Sequence, residues 1–277
     1  MHDGSTGEGS GAAAGTALVR PRRKGIYILP NLFTLAALFG GFYAIVMAMN
    51  GRFENAAIGI FCAMVLDSLD GRVARMTNTT SAFGEQMDSL SDMVSFGAAP
   101  ALIVYEWALK GLGKIGWIAA FVYCSGAALR LARFNTNIGV VDKRFFQGLP
   151  SPAAAALVTG LIWVMDDAGF KGVTTIDWLT WLACGFTLYA GLTMVTNVPF
   201  YSFKTVNFKR SVPFIVIVAF ALAFALVAYH PPAVMFGVFV VYGLSGYVVY
   251  VYRRMQGKPV SVIATSTDEP DERGLHR

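Results

Sequence analysis

The feature that most constrains this chain is an apolar stretch of about twenty residues that recurs along its length. A helix rises about 1.5 Å per residue, and the hydrocarbon core of a bilayer is about 30 Å thick. Stretches long enough to bridge that thickness, or nearly so, fall at 28–49, 54–75, 84–109, 115–136, 151–166, 177–197, 212–229 and 232–252. Composition agrees. Of the 277 residues 55% are hydrophobic and 14% charged, whereas a soluble domain averages about 25% charged. A soluble fold of this length could not cover so much apolar surface. The expected class is all-α integral membrane, with about eight transmembrane helices.

The formal charge is +5, and its distribution carries the information. The basic residues stand at helix ends and form no stripe, which argues against a nucleic-acid partner. With the N-terminus in the cytoplasm, the outer loops hold Arg52, Lys110, Lys114 and Lys171. The other eighteen of the 22 Lys and Arg then lie on the cytoplasmic side or near cytoplasmic helix ends. Because cytoplasmic loops carry the excess of Lys and Arg, this orientation is preferred. The bacterial cytoplasmic membrane is the expected location. Arg20, Arg22, Arg23 and Lys24 precede the first apolar run, which is too long for a signal peptide and is read as a retained helix. Residues 1–25 are expected to form a basic, disordered cytoplasmic N-terminus, and 256–277 a polar tail. His230-Pro231-Pro232 marks a tight turn between the last two spans. Cys62, Cys124 and Cys184 sit singly inside apolar runs and read as packing residues.

Four acids break the apolar pattern: Asp67, Asp70, Asp88 and Asp92. A carboxylate in a membrane helix is costly unless paired, wet or metal-bound, so a functional role is its default reading. Asp67 and Asp70 are three apart and share a helix face; Asp88 and Asp92 are four apart and share a face of the next helix. The polar loop from Met76 to Phe83 is short, so the two helices must be antiparallel neighbours. If the second span starts near Glu54 on the outside, Asp67 lies about 20 Å along it, in the cytoplasmic third of the core. Asp88 lies a turn or so beyond the cytoplasmic start of the third. Four carboxylates converging at one level repel each other, and hard divalent cations relieve this. An all-oxygen set suits Mg²⁺ or Mn²⁺. A cation transporter is a remote alternative, but it would need acids on more than two helices and across the bilayer midplane.

The pattern Asp67-x2-Asp70-Gly71-x2-Ala74-Arg75-x8-Gly84-x3-Asp88-x3-Asp92 resembles the signature of the CDP-alcohol phosphatidyltransferases at every fixed position. The resemblance covers roughly residues 25–200. It implies a six-helix family core at 26–200, with 201–255 as two additional transmembrane helices. It implies transfer of a phosphatidyl group from a CDP-linked lipid to an alcohol with release of CMP. Carried over by position, Asp67, Asp70 and Asp88 bind metal, and Asp92 binds metal and acts as the base. Gly71, Ala74, Arg75 and Gly84 border the cytidine diphosphate, and Asn31 and Thr34 match a family element that approaches the diphosphate. As a bare sequence feature, Asn31 also reads as a helix cap. The family is commonly dimeric, so a homodimer is expected. Direct attack is favoured over a covalent intermediate, because His2, His230 and His276 all lie in tails or an outer loop.

The acceptor is not named by that signature. Asp88-Ser-Leu-Ser-Asp92-Met-Val-Ser-Phe-Gly97-Ala-Ala-Pro100, Ala128-Leu-Arg130-Leu-Ala-Arg133-Phe-Asn135 and Phe146-Gln-Gly148-Leu-Pro150-Ser-Pro152 resemble the branch of the family that uses L-serine, with CDP-diacylglycerol as donor. A carboxylate wants an Arg fork, and Arg130 and Arg133 are three apart near the cytoplasmic end of the fourth span. Gln147, Ser91 and Ser95 are further candidates for the acceptor site. Glycerol 3-phosphate would want similar cations, so it and inositol stay open as acceptors.

Overall fold

The computed structural model of the chain describes residues 28–77, 81–136, 145–172, 177–202 and 214–256. The expectations for residues 1–25, and for the tail beyond Gln256, lie outside these residues. Nearly everything described is helical. In chain order the helices are α1 (Ile28–Met49), α2 (Phe53–Thr77), α3 (Ala82–Asp92), α4 (Ala99–Trp107), α5 (Lys114–Thr136), α6 (Ser151–Asp167), α7 (Trp178–Val195), α8 (Phe214–Tyr229) and α9 (Pro231–Met255). A π-helical stretch, Met93–Ala98, joins α3 to α4, and a 3₁₀ turn, Leu109–Leu112, follows α4.

Four segments among the described residues are long and apolar enough to cross a membrane by length and composition: Asn31–Met49, Lys114–Thr136, Trp178–Val195 and Pro231–Met255. The other apolar stretches also fold as helices but depart from that simple pattern for visible reasons. Helix α2 carries Glu54, Asp67, Asp70, Arg72 and Arg75. Helix α6 has 17 residues and the described part of α8 has 16. The third stretch is interrupted.

That interruption corrects the expectation of one continuous helix over 84–109. Pro100 stands in the first turn of α4 and has no N–H to give to the Phe96 carbonyl four residues earlier. The helix widens there, and the Ala99 N–H reaches back five residues to the Val94 carbonyl. The Tyr123 hydroxyl of α5 donates to the Phe96 carbonyl at 2.9 Å, satisfying a group that the proline leaves short. Such single-turn π insertions re-aim the residues on either side of them, and this one begins directly after Asp92.

The all-α membrane class holds, with one small addition that the sequence did not show. Strands β1 (Phe145–Gln147) and β2 (Pro199–Tyr201) pair antiparallel, with Phe145 opposite Tyr201, Phe146 opposite Phe200 and Gln147 opposite Pro199. Three-residue strands are too short to show a period in sequence.

Helix α6 is the centre of the bundle and packs against α2, α4, α7 and α9. It is buried on every side at Ser151 and from Ala153 to Trp163. A helix that is apolar all round belongs inside a bundle, and the run Ala153–Ala156 lets its neighbours approach closely. Helix α1 lies along α2 and also contacts α3, the π turn and α4. Where α1 meets the π turn, a Cβ on Gly41 would fall 2.5 Å from the Ser95 hydroxyl oxygen, so only glycine fits. Helix α5 pairs with α7, and α8 packs against α9.

Candidate active site

The site forms where the start of α1, the second half of α2 and all of α3 converge. Helix α2 presents Asp67, Asp70, Gly71, Ala74 and Arg75 along two turns. Helix α3 is started by Ser81, whose side chain accepts from the Gly84 N–H at 3.1 Å, and it then presents Asp88 and Asp92 one turn apart. Asp67, Asp70 and Asp88 each offer a carboxylate oxygen, and the three oxygens lie within 4.8 Å of one another. Asp92 falls outside that trio but sits side by side with Asp67. The two pairs therefore do arrive at one level, as helix spacing suggested.

Hydrogen bonds hold the acids in place. The Thr34 hydroxyl of α1 donates to Asp70 Oδ2 at 2.7 Å in a buried contact. The Ser91 hydroxyl donates to the Thr34 carbonyl and the Ser95 hydroxyl to the Ala37 carbonyl, both at 3.1 Å. These two bonds lock α3 and the π turn to α1. At the far side, Asn135 of α5 donates to the Ser89 hydroxyl at 3.0 Å.

Beside the acids lies a cleft of about 220 Å³, lined by Asn31, Thr34, Asp70, Gly71, Ala74, Arg75, Ser81, Gly84, Glu85 and Asp88. All six residues expected to border a cytidine diphosphate are in this wall. Gly84 is needed for its shape. A Cβ there would lie 3.2 Å from the Ser81 hydroxyl and 3.3 Å from the Asn31 amide oxygen. The Arg75 guanidinium reaches back over Gly71, which puts a fork suited to phosphate at the rim. Ser81 and Glu85 were not singled out from sequence. Ser81 was legible as a helix N-cap, whereas nothing in the pattern marked Glu85.

The acceptor candidates separate. Arg130 is buried, and its Nη1 donates to the Ser151 hydroxyl at 2.8 Å. Its guanidinium is within electrostatic reach of Asp92. Among the described residues, Arg130 Nε and Asp92 Oδ1 are both buried without a hydrogen-bond partner. Arg133, three residues on, points elsewhere. Its Nη1 donates to the Val195 carbonyl at 3.0 Å and Asn197 Oδ1 at 3.2 Å. Its Nη2 donates to the carbonyls of Gln147 and Met194 at 3.2 Å and of Thr196 at 3.4 Å. Three of these carbonyls end α7, where a cation is favoured by the helix dipole. Gln147 donates to Asn197 Oδ1 at 2.7 Å in the same network. Arg133, Gln147, Ser91 and Ser95 thus all make contacts within the fold, and Arg130 and Arg133 engage different partners. Ser151, which the sequence reading passed over, is the partner Arg130 has.

The acids fit a hard divalent cation. They supply only oxygen donors, they converge, and one of their oxygens is buried with no partner of its own. An uncompensated cluster of this kind in a low dielectric is strongly repulsive.

A membrane-embedded phosphotransfer site of this type agrees with the comparisons to known proteins. The profile of the family described as CDP-alcohol phosphatidyltransferase matches residues 27–189. The chain belongs to the CDP-alcohol phosphatidyltransferase family, and is an integral membrane transferase. It is 36% identical to a CDP-diacylglycerol–serine O-phosphatidyltransferase of Helicobacter pylori (strain J99), over 79% of this chain and 90% of the relative. It is 31% identical to a protein of the same name from Methanocaldococcus jannaschii, over 80% of this chain and 96% of the relative. For the Saccharomyces cerevisiae protein of that name the figures are 37%, 48% and 52%. Family membership sets aside the transporter reading of the four acids.

Proposed function

We propose that the protein transfers the phosphatidyl group of CDP-diacylglycerol to the hydroxyl of L-serine, giving phosphatidylserine and CMP. The observation that carries this reading is a juxtaposition. A polar cleft rimmed by Arg75 adjoins a carboxylate cluster, and beyond the cluster Asp92 and Arg130 hold unpartnered polar atoms. The relatives named as serine transferases support the choice of acceptor.

In this reading Asn31, Thr34, Gly71, Ala74, Arg75 and Gly84 border the cytidine diphosphate, with Arg75 on a phosphate. Asp67, Asp70, Asp88 and Asp92 would hold two Mg²⁺ or Mn²⁺ ions. When bound, such ions offset charge on the diphosphate and on the departing CMP. Arg130 pairs with the serine carboxylate and so brings the serine hydroxyl to Asp92. Asp92 takes the hydroxyl proton. The serine oxygen attacks the phosphorus that bears diacylglycerol, a new P–O bond forms, and the bond from that phosphorus to the oxygen of CMP breaks. Because Thr34 fixes one oxygen of Asp70 and the Ser91 and Ser95 bonds pin α3 to α1, the carboxylates need little reorganisation as charge moves.

Arg130 is the discriminating residue. Arg130→Lys keeps the charge and loses the planar fork. It is expected to raise the KM for serine by about tenfold or more, because a hydrogen bond to a charged group contributes about 1.5–3 kcal/mol. The KM for CDP-diacylglycerol should stay within about twofold. Transfer of labelled serine, glycerol 3-phosphate or inositol by the purified protein provides the measurement. Turnover with glycerol 3-phosphate or inositol and none with serine would replace the acceptor in this reading.

The Lys and Arg distribution supports a site that opens to the cytoplasm. In a cysteine-free background, Phe170→Cys between α6 and α7 is expected to react with impermeant thiol reagents in intact cells. Asn137→Cys, after α5, is expected to resist them until the membrane is opened. The reverse pattern would turn the topology over.

A further inference from the structure

Helix α9 lies beyond the residues that the family profile matches, which end at 189. It nonetheless grips the part of the fold that holds Arg130. The Arg130 guanidinium donates to the hydroxyl of Ser151, a fully buried residue that opens α6. The chain just before Ser151 is fastened to two other elements. The Gly148 N–H donates to the Val198 carbonyl at 2.9 Å and the Leu149 N–H to the Thr193 carbonyl at 3.2 Å. Strand β1, the start of α6, strand β2 and the end of α7 therefore move together.

Two three-residue strands do not hold themselves in place, because an isolated hairpin-sized ribbon is marginal. Their support comes from α9. Phe200 of β2 is fully buried, and its ring meets the Tyr242 ring at 5.7 Å and 46°. The Tyr242 hydroxyl donates to the Tyr201 carbonyl at 3.3 Å. One turn on, α9 passes so close to Phe200 that a Cβ on Gly246 would fall 2.4 Å from the ring. The Tyr247 hydroxyl is 2.8 Å from the Thr193 hydroxyl, on the residue whose carbonyl holds Leu149. Tyr242 itself is within electrostatic reach of the Arg130 guanidinium.

We infer that α9 belongs to the acceptor site: Tyr242 and Gly246 clamp the β1–β2 ribbon, and the ribbon sets Ser151 and with it the guanidinium of Arg130 against the acceptor carboxylate. The inference rests on the reading of Arg130 given above. Tyr242 and Gly246 are positioning residues; neither needs to touch substrate. A helix that served only to anchor the chain in lipid would have no reason to present glycine to one aromatic ring and a tilted tyrosine ring to the same ring.

The test is steady-state kinetics on full-length variants, with serine and CDP-diacylglycerol varied in turn. Tyr242→Leu keeps an apolar side chain but removes the ring contact and the hydroxyl. Gly246→Ala forces a methyl against Phe200. Each is expected to raise the KM for serine about three- to tenfold, since a small displacement of a positioning group is enough to weaken an oriented contact. The KM for CDP-diacylglycerol should remain within about twofold. Tyr242→Phe, which restores the ring, should recover most of the serine KM. In a double variant with Arg130→Lys the two effects should fall short of multiplying, because both act through one group. Independent, multiplicative effects would overturn the inference. So would a serine KM at the wild-type value in both α9 variants while Arg130→Lys raises it. If Arg130→Lys leaves the serine KM unchanged, the acceptor reading fails first and the inference falls with it. Loss of folded protein in both α9 variants, with Tyr242→Phe equal to wild type in every constant and in thermal midpoint, would make the clamp purely structural and also overturn it.

Discussion

Asp92→Asn is expected to lower kcat by about 10²- to 10⁴-fold, the range associated with removing a general base. The substitution keeps the shape of the side chain, so α3 and the π turn should fold unchanged. What it removes is the proton acceptor and one negative charge beside Asp67. The KM for CDP-diacylglycerol should move far less than kcat, because Asp92 does not line the cleft that would take the nucleotide and three other acids remain to hold the ions. The loss should be the same for any acceptor alcohol, which separates Asp92 from Arg130, where the effect is confined to the acceptor KM. A kcat within about threefold of wild type would remove Asp92 from the role of base.

Chelation is expected to have an effect of similar size. Treatment of the purified enzyme with EDTA should abolish transfer, and Mg²⁺ or Mn²⁺ should restore it. The reason is the electrostatics of the acids: oxygens from Asp67, Asp70 and Asp88 lie within 4.8 Å of one another, and Asp92 adds a buried oxygen without a partner. A divalent ion that offsets this repulsion also stabilises the folded form by mass action. Thermal unfolding should therefore shift upward with added Mg²⁺ or Mn²⁺ in the wild type, and less in Asp70→Asn. Full transfer in metal-free buffer would eliminate the ions from the mechanism.

Thr34 and Ser91 show how the acids are held without a large polar network. Each uses a single hydroxyl to bridge α1 to a neighbouring helix. In a membrane these bonds are worth about 0.6 kcal/mol on average and rarely more than about 2. Their value lies more in orientation than in stability. Thr34 decides which oxygen of Asp70 remains available to the cluster, and Ser91 sets the height of α3 against α1.

Much of the fold, and the grouping of most candidate site residues, were legible in the sequence, for identifiable reasons. Apolar runs of bilayer length report helices directly, because a lipid environment permits few other ways to satisfy the backbone. The spacing of Asp67 with Asp70 and of Asp88 with Asp92 reports shared helix faces, because an α-helix repeats every 3.6 residues. The short loop between Met76 and Phe83 reports that those faces belong to neighbours. The resemblance of the Asp67–Asp92 pattern to the family signature added Gly71, Ala74, Arg75 and Gly84 to the residues expected beside the acids.

Other features were decided only by tertiary structure. Pro100 was visible, but whether a proline kinks, ends or widens a membrane helix depends on what satisfies the carbonyl it leaves short; here Tyr123 of α5 does so. Arg130 and Arg133 look equivalent in sequence, each a cation near the end of the same helix. Their contacts diverge: Arg133 meets the carbonyls that end α7, whereas Arg130 meets a hydroxyl on α6 and lies within electrostatic reach of Asp92. The β1–β2 ribbon and its grip by Tyr242 and Gly246 join residues about forty to fifty-five positions apart. The sequence by itself determined a membrane helix bundle and the line of carboxylates within it, since both follow from periodicity over a few turns. Which partners Arg130 and Arg133 meet, and how α9 packs on the β1–β2 ribbon, was decided by contacts between distant segments, and no local period encodes those.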